Sequence, residues 1–155
     1  MRWFSLMKRV LGTCAMGLLM AGPVQAAVQG SAAEAETMVN KAVAYIKANG
    51  QEKAAEEFTN GKLFKDRDLY VSYYTLDGTV IAHGANPKLV GKDLSALKDP
   101  DGKLFIQMIS DLAKTKGKGW TGSYKFRNPV TNKVSEKIIY VERVDNTWVG
   151  VGVYK

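Results

Sequence analysis

The hydrophobic period of this chain changes after Asp66 from helical to alternating, and that change decides the fold class. Before it, Met38, Val39, Ala42, Val43 and Ile46 recur at helical spacing. They follow a capping box, Ser31 to Glu34, in which the serine hydroxyl accepts from the Glu34 amide while the glutamate carboxylate reaches back. Asn49 and Gly50 offer a left-handed stop, and residues 51–58 predict a short second helix closed by Asn60 and Gly61. After Asp66, residues 70–75 are rich in aromatic and β-branched side chains. An Asp77–Gly78 pair then turns the chain, and residues 79–83 return it as a hairpin.

Residues 84–102 are too rich in Gly, Pro and Asp for regular structure, so they predict a long loop that packs Leu89, Val90 and Leu94 inward as a lid. A third helix follows, with Leu104, Phe105, Met108, Ile109 and Leu112 on one face and Gly117 at its end. Residues 120–128 alternate, with Trp120, Gly122, Tyr124 and Phe126 on one face. Residues 137–144 and 147–154 pair across Asp145–Asn146. Gly150 and Gly152 leave a bare patch on the face they share with Trp148 and Tyr154, room for a backbone, a packed aromatic or a ligand. This order predicts an α+β architecture: about five antiparallel strands, a long N-terminal helix and further helices on one side.

The first 26 residues carry a basic start, an apolar stretch too short to span a bilayer comfortably, and a small-residue "VQA" site. They read as a secretory signal peptide cleaved after Ala26, with retention as an anchor the alternative. Residues 27–155 then form one domain, expected in the periplasm. Cys14, the single cysteine, leaves with the leader, so the mature chain has no disulfide and no thiolate ligand or nucleophile. Arg2, Lys8 and Arg9 leave too, and 19 basic residues then face 15 acidic ones, a net charge of +4 in place of +7. The lysines are scattered and the densest run, residues 114–119, reads as a solvated turn, so no nucleic-acid partner is expected.

His83 is the single histidine, at the end of a strand beside a Gly-Ala-Asn-Pro loop. Two readings stay open: it bonds to loop backbone, or it donates to a ligand carboxylate. Without a cysteine or a recognisable base–nucleophile pair it does not make a catalytic site, and no enzyme activity is expected. Lys137 opens an otherwise apolar strand, "KIIYV", and is the candidate cation for an anionic ligand. Tyr73, Tyr124, Phe126 and Trp120 are candidate aromatic walls, or plain core. Residues 99–102, "DPDG", begin like a calcium loop but lack its later ligands and read as a turn. One histidine and no mature cysteine provide no zinc or haem ligand set, and neither a P-loop nor a dinucleotide fingerprint is present, so no cofactor is expected.

The stretches "DLYVSYYTLDGTVIAHGANPKLVGKDL", "DPDGKLFIQ", "GKGWTGSYKFRNPVTNKVSEK", "YVERV" and "VGVGVYK" closely resemble the single Cache domain of type 2, a bacterial extracytoplasmic, PAS-like small-molecule sensing fold. The resemblance runs from about Met38 to Lys155. It implies a pocket between the inner face of the sheet and its covering loop and helix, binding small organic ligands, often short carboxylates. On this basis His83, Tyr124 and Lys137 are polar readers under a lid of residues 84–94. The resemblance is to free-standing exported members, so the expected function is sensing in signal transduction through a separate membrane receptor, kinase or transporter. The alternative is an envelope accessory protein that binds no ligand. Related sensors pair through the N-terminal helix, and a homodimer of that kind is a further expectation. The family pattern "YxWPxP" is altered here: Phe126 replaces tryptophan, Arg127 replaces proline, and Glu136 stands where a proline often precedes the lysine.

Overall fold

Ser31 caps helix α1 (Ala32–Asn49) with both halves of the capping box formed, and Gly50, at φ 83°, ends it. The structure, a computed structural model, describes residues 29–155; the expected signal peptide and Cys14 lie outside the described residues. Helix α2 (Gln51–Asn60) follows directly and ends at Gly61. Strands β1 (Lys65–Asp66), β2 (Leu69–Thr75) and β3 (Val80–His83) come next, then helix α3 (Phe105–Lys116). Strands β4 (Lys118–Trp120), β5 (Tyr124–Arg127), β6 (Val134–Val144) and β7 (Thr147–Tyr154) complete the chain. Among the described residues, no helix is long and apolar enough to cross a membrane.

The sheet is antiparallel in every pairing, with β7 at its centre between β2 and β6. Strand β3 lies on the other side of β2, and β4 and β5 both pair with β6. The seven strands exceed the expected five for two reasons. Short β1 adds to the start of β2, and the single strand expected over residues 120–128 is broken in two. At the break the Thr121 hydroxyl accepts the Ile139 amide, and the register against β6 slips by one residue, from Trp120 opposite Tyr140 to Tyr124 opposite Lys137. A slip of one residue exchanges the faces of a strand.

Helices α1 and α2 cover one face of the sheet, where Val39, Val43, Phe58, Val71, Tyr73, Val149 and Val151 form a core. Helix α3 covers the other, where Phe105, Ile106 and Ile109 meet Tyr74, Tyr124, Ile139, Val141 and Trp148. The helices are therefore divided between the faces rather than gathered on one side. The cause lies in β7, whose every residue is buried: both parities of a strand are apolar only when both faces are covered. Trp148 Nε1 donates to Ser110 Oγ at 3.0 Å, which fixes α3 on the sheet.

The loop after β3 does not roof the inner face. Its backbone runs along the outer edge of β3, where Val80 donates to Lys92, Gly91 donates to Val80, and Leu94 donates to Gly78. The open hydrogen-bonding edge of β3 claims it, as exposed edges require covering. Leu89 and Leu94 pack against the α3 core as expected, but Val90 is exposed.

Asp68, fully buried, holds the two ends of the fold together. Its Oδ1 accepts from the Gly30 amide at 2.7 Å and its Oδ2 from Asn128 Nδ2 at 3.1 Å. The entry to α1 and the turn after β5 thereby share one carboxylate.

Candidate functional site: a closed cavity around Lys137

Lys137 enters the sheet at the start of β6 and points toward the α3 side, where its side chain lies over Gly152 of β7. A Cβ at Gly152 would overlap Lys137 Cε and stand 3.1 Å from Nζ. One of the two bare positions thus seats an aliphatic stem. The other, Gly150, seats Ile139, whose Cδ1 would lie 2.7 Å from an added Cβ. Lys137 is 2% exposed, and its amine donates to the Tyr70 hydroxyl at 2.7 Å and the Tyr154 hydroxyl at 3.3 Å. Tyr154 in turn donates to the Arg127 carbonyl at 2.9 Å. The rings of Tyr70, Tyr154 and Phe126 surround the amine at 4.4, 4.8 and 5.2 Å. No carboxylate bonds to it among the described residues. Loss of water therefore pulls its pKa from 10.5 down to about 7, opposed only by the more distant charge of Asp68.

His83 closes β3 opposite Ser72 and is 3% exposed. Its Nδ1 accepts the Asn86 amide at 3.0 Å, which leaves the ring proton on Nε2. Burial first, and the Lys137 charge second, lower its pKa from 6.5 to about 3, so the ring is neutral at physiological pH. The two readings of this histidine are compatible: one nitrogen holds the loop while the ring, tilted against Tyr70 at 5.1 Å, faces the same cavity as Lys137.

That cavity has a volume of about 20 Å³, roughly enough for one water molecule. The sheet contributes Tyr70, Ser72, Tyr74, His83, Lys137, Ile139 and Trp148, and the cover is α3, through Phe105, Ile106 and Ile109, with Tyr124 and Phe126 of β5. Phe105 stacks on Tyr124 with centroids 4.7 Å apart and planes 6° off parallel, and Tyr74 stacks on Trp148 at 4.4 Å. Burial raises the Tyr70 and Tyr124 hydroxyls well above their usual range and brings Tyr154 to about 12, so all three remain protonated donors. Larger grooves open on the surface, including one of about 310 Å³ between α1 and β1, but buried Ser72, His83 and Lys137 meet at the small cavity.

Of the residues singled out from sequence, His83, Lys137, Tyr124 and Phe126 line this cavity, while Tyr73 and Trp120 do not. Tyr73 belongs to the opposite parity of β2 and packs edge-on against Phe58 under α2. Trp120 precedes the register slip and so faces α1, where its Nε1 donates to Glu36 at 2.6 Å. Tyr70, Ser72 and Tyr74 were missed, while Trp148 and Tyr154 were placed on the glycine-patch face but not as site residues. The signal for them lay in β7: Ser72 stands opposite Gly150 and Tyr74 opposite Trp148, so the glycine patch marks the parity of β2 that faces the cavity.

The fold is an antiparallel sheet with a long helix on one face and, on the other, a small, aromatic-walled cavity where buried polar groups meet. The chain belongs to the family described as Single Cache domain 2, whose sequence profile matches residues 12–155. It is 31% identical over 115 residues to the sensor histidine kinase MctS of Rhizobium johnstonii, covering 71% of this chain and 24% of that protein. It is 36% identical over 93 residues to the methyl-accepting chemotaxis protein McpP of Pseudomonas putida, covering 57% of this chain and 16% of that one. The chain thus spans a quarter or less of these curated relatives. Among solved structures, a methyl-accepting chemotaxis protein from Vibrio parahaemolyticus superposes with a TM-score of 0.67 at 26% identity, covering 79% of this chain and 86% of that one. A Cache chemosensory domain solved to explain its carboxylic acid recognition gives a TM-score of 0.62 at 28% identity, covering 79% and 86%.

Proposed function

We propose that this protein is an extracytoplasmic sensing domain that binds a short organic acid in the cavity around Lys137 and reports it to a separate membrane receptor, kinase or transporter. The observation that carries the reading is the buried Lys137 amine, which has hydroxyl and aromatic neighbours but, among the described residues, no carboxylate bonded to it. A ligand carboxylate completes it, with Tyr70 and the Nε2–H of His83 as orienting donors and Tyr124 and Phe126 as walls. The solved relative that recognises carboxylic acids supports the ligand class. The kinase and chemoreceptor relatives support the signalling role. The reading places the domain in the periplasm after removal of the first 26 residues, and includes pairing of two copies through α1. It assigns binding rather than turnover.

The test is a thermal-shift titration of the purified protein with acetate, propionate and lactate. A carboxylate at one hundred times its dissociation constant adds about 2.7 kcal/mol of stability, and Lys137→Met abolishes the effect. No shift with any small acid, in folded protein, overturns the reading.

The small size of the cavity favours a second reading, a docking protein whose pocket is filled by its own rings. Stable association with an envelope partner in ligand-free buffer, unchanged in Lys137→Met, would establish it.

A further inference from the structure

The Lys137 amine is enclosed by groups that suit carbonyl chemistry as well as anion binding. It is sealed from bulk water and held in place by two phenol hydroxyls, at 2.7 and 3.3 Å. It lines the same small cavity as His83. A lysine amine in an apolar pocket beside proton-transfer groups is the arrangement that makes this side chain a nucleophile toward carbonyl carbon.

We propose that Lys137 captures 2-oxo acids covalently, as a reversible imine, and thereby separates them from saturated acids of the same length. This rests on the carboxylate reading above. In the step, the neutral Nζ lone pair forms a bond to the ketone carbon of the acid while the carbonyl π pair moves to oxygen. That oxygen takes up the proton that nitrogen gives up, through the Tyr70 hydroxyl. The carbinolamine then takes back from solvent the proton that the ammonium first released, loses its C–OH as water, and nitrogen closes the double bond. The net change is ammonium plus ketone to iminium plus water, with no oxidant or reductant. The iminium nitrogen keeps the single positive charge that the ligand carboxylate needs in a site where, among the described residues, no other cation lines the cavity.

The depressed basicity of the amine, about 7 in place of 10.5, supplies the neutral nucleophile near pH 7 while exposed lysines remain protonated. That contrast gives the experiment its internal control.

Purified protein is incubated at pH 7 with pyruvate or glyoxylate and sodium cyanoborohydride, which reduces an imine to a stable secondary amine, and is then mapped by peptide mass spectrometry. The expected result is modification of Lys137 at least about tenfold above any exposed lysine, as its larger neutral fraction requires. Excess propionate suppresses it. Because Lys137→Met or Lys137→Arg could disturb folding, the decisive comparison is between sites within the unaltered protein. Modification of Lys137 no greater than that of surface lysines, while propionate still raises the melting temperature, overturns covalent capture and leaves the carboxylate reading standing. Absence of both overturns the two together.

Discussion

The Lys137 amine lies 2.7 Å from the Tyr70 hydroxyl, and both groups are buried on the α3 face of the sheet. An ammonium in that position has given up its hydration for neutral partners, and the folded protein carries that cost whenever the amine is charged.

The first prediction concerns stability against pH without ligand. Between about pH 7 and 10.5 the unfolded chain holds a proton on Lys137 that the folded chain has released, so stability rises with pH across that window. For His83, folded near 3 against 6.5, stability is fully present above 6.5 and falls as pH drops toward 3. Chemical denaturation from about pH 4 to pH 9 is expected to show both slopes. Lys137→Met removes the upper one and His83→Gln the lower; a pH-independent midpoint in the unaltered protein contradicts the burial of both groups.

Carboxylate binding should take up a proton. The anion favours the charged amine, so the pKa of Lys137 rises in the complex, and affinity falls about tenfold per pH unit above 7. Titration calorimetry of propionate in buffers of different ionisation enthalpy reads the proton directly. An uptake of zero at pH 8 would mean that the ligand meets an already charged lysine.

Gly152 is the floor on which the Lys137 stem lies. Gly152→Ala is expected to cost about 1–3 kcal/mol from overpacking and to abolish the ligand-induced shift by displacing the amine. In the Lys137→Ala background the same change should cost less, since most of the collision has gone; the Ile138 carbonyl, 3.1 Å from the added Cβ, sets the remainder. Additive losses would show that the glycine serves the backbone alone.

Trp120→Phe and Tyr73→Phe separate the two faces of the sheet. The first gives up a 2.6 Å bond to the Glu36 carboxylate, worth about 1.5–3 kcal/mol. The second gives up only a 3.4 Å contact with Thr147 and should cost less than about 1 kcal/mol. Neither should alter the response to carboxylates, whereas Phe126→Ala, on the cavity side, should. Loss of response in Trp120→Phe with the fold intact would place the binding site elsewhere.

The helices were legible because their caps are local: Ser31 with Glu34, Gly50, Gly61 and Gly117 stop and start them through bonds within a few residues. Strand identity was legible for the same reason, but faces were not. Trp120 and Tyr124 have the same parity in the sequence, yet the Thr121 hydroxyl interrupts the ladder between them and sends them to opposite sides. The loop after His83 looked like a lid because it carries apolar residues, and only the free edge of β3 reveals what holds it. His83 and Lys137 could be picked by residue type, but their meeting depends on β2, β3, β6 and β7 lying side by side, which no local pattern expresses. Tyr70 and Tyr154 bond to each other at 3.2 Å across 84 positions of sequence, and neither has a local signature as a donor to lysine.

In β7, Val149, Val151 and Val153 point to α1 and α2 while Gly150 and Gly152, between them, lie under the Ile139 and Lys137 side chains that line the cavity. One strand thus carries on its two faces the valines that pack under the long helix and the glycines that seat Ile139 and Lys137. Any shift of that strand along its normal moves the valines under α1 and the seats of Lys137 and Ile139 together, so the central strand works as a piston between the two cores.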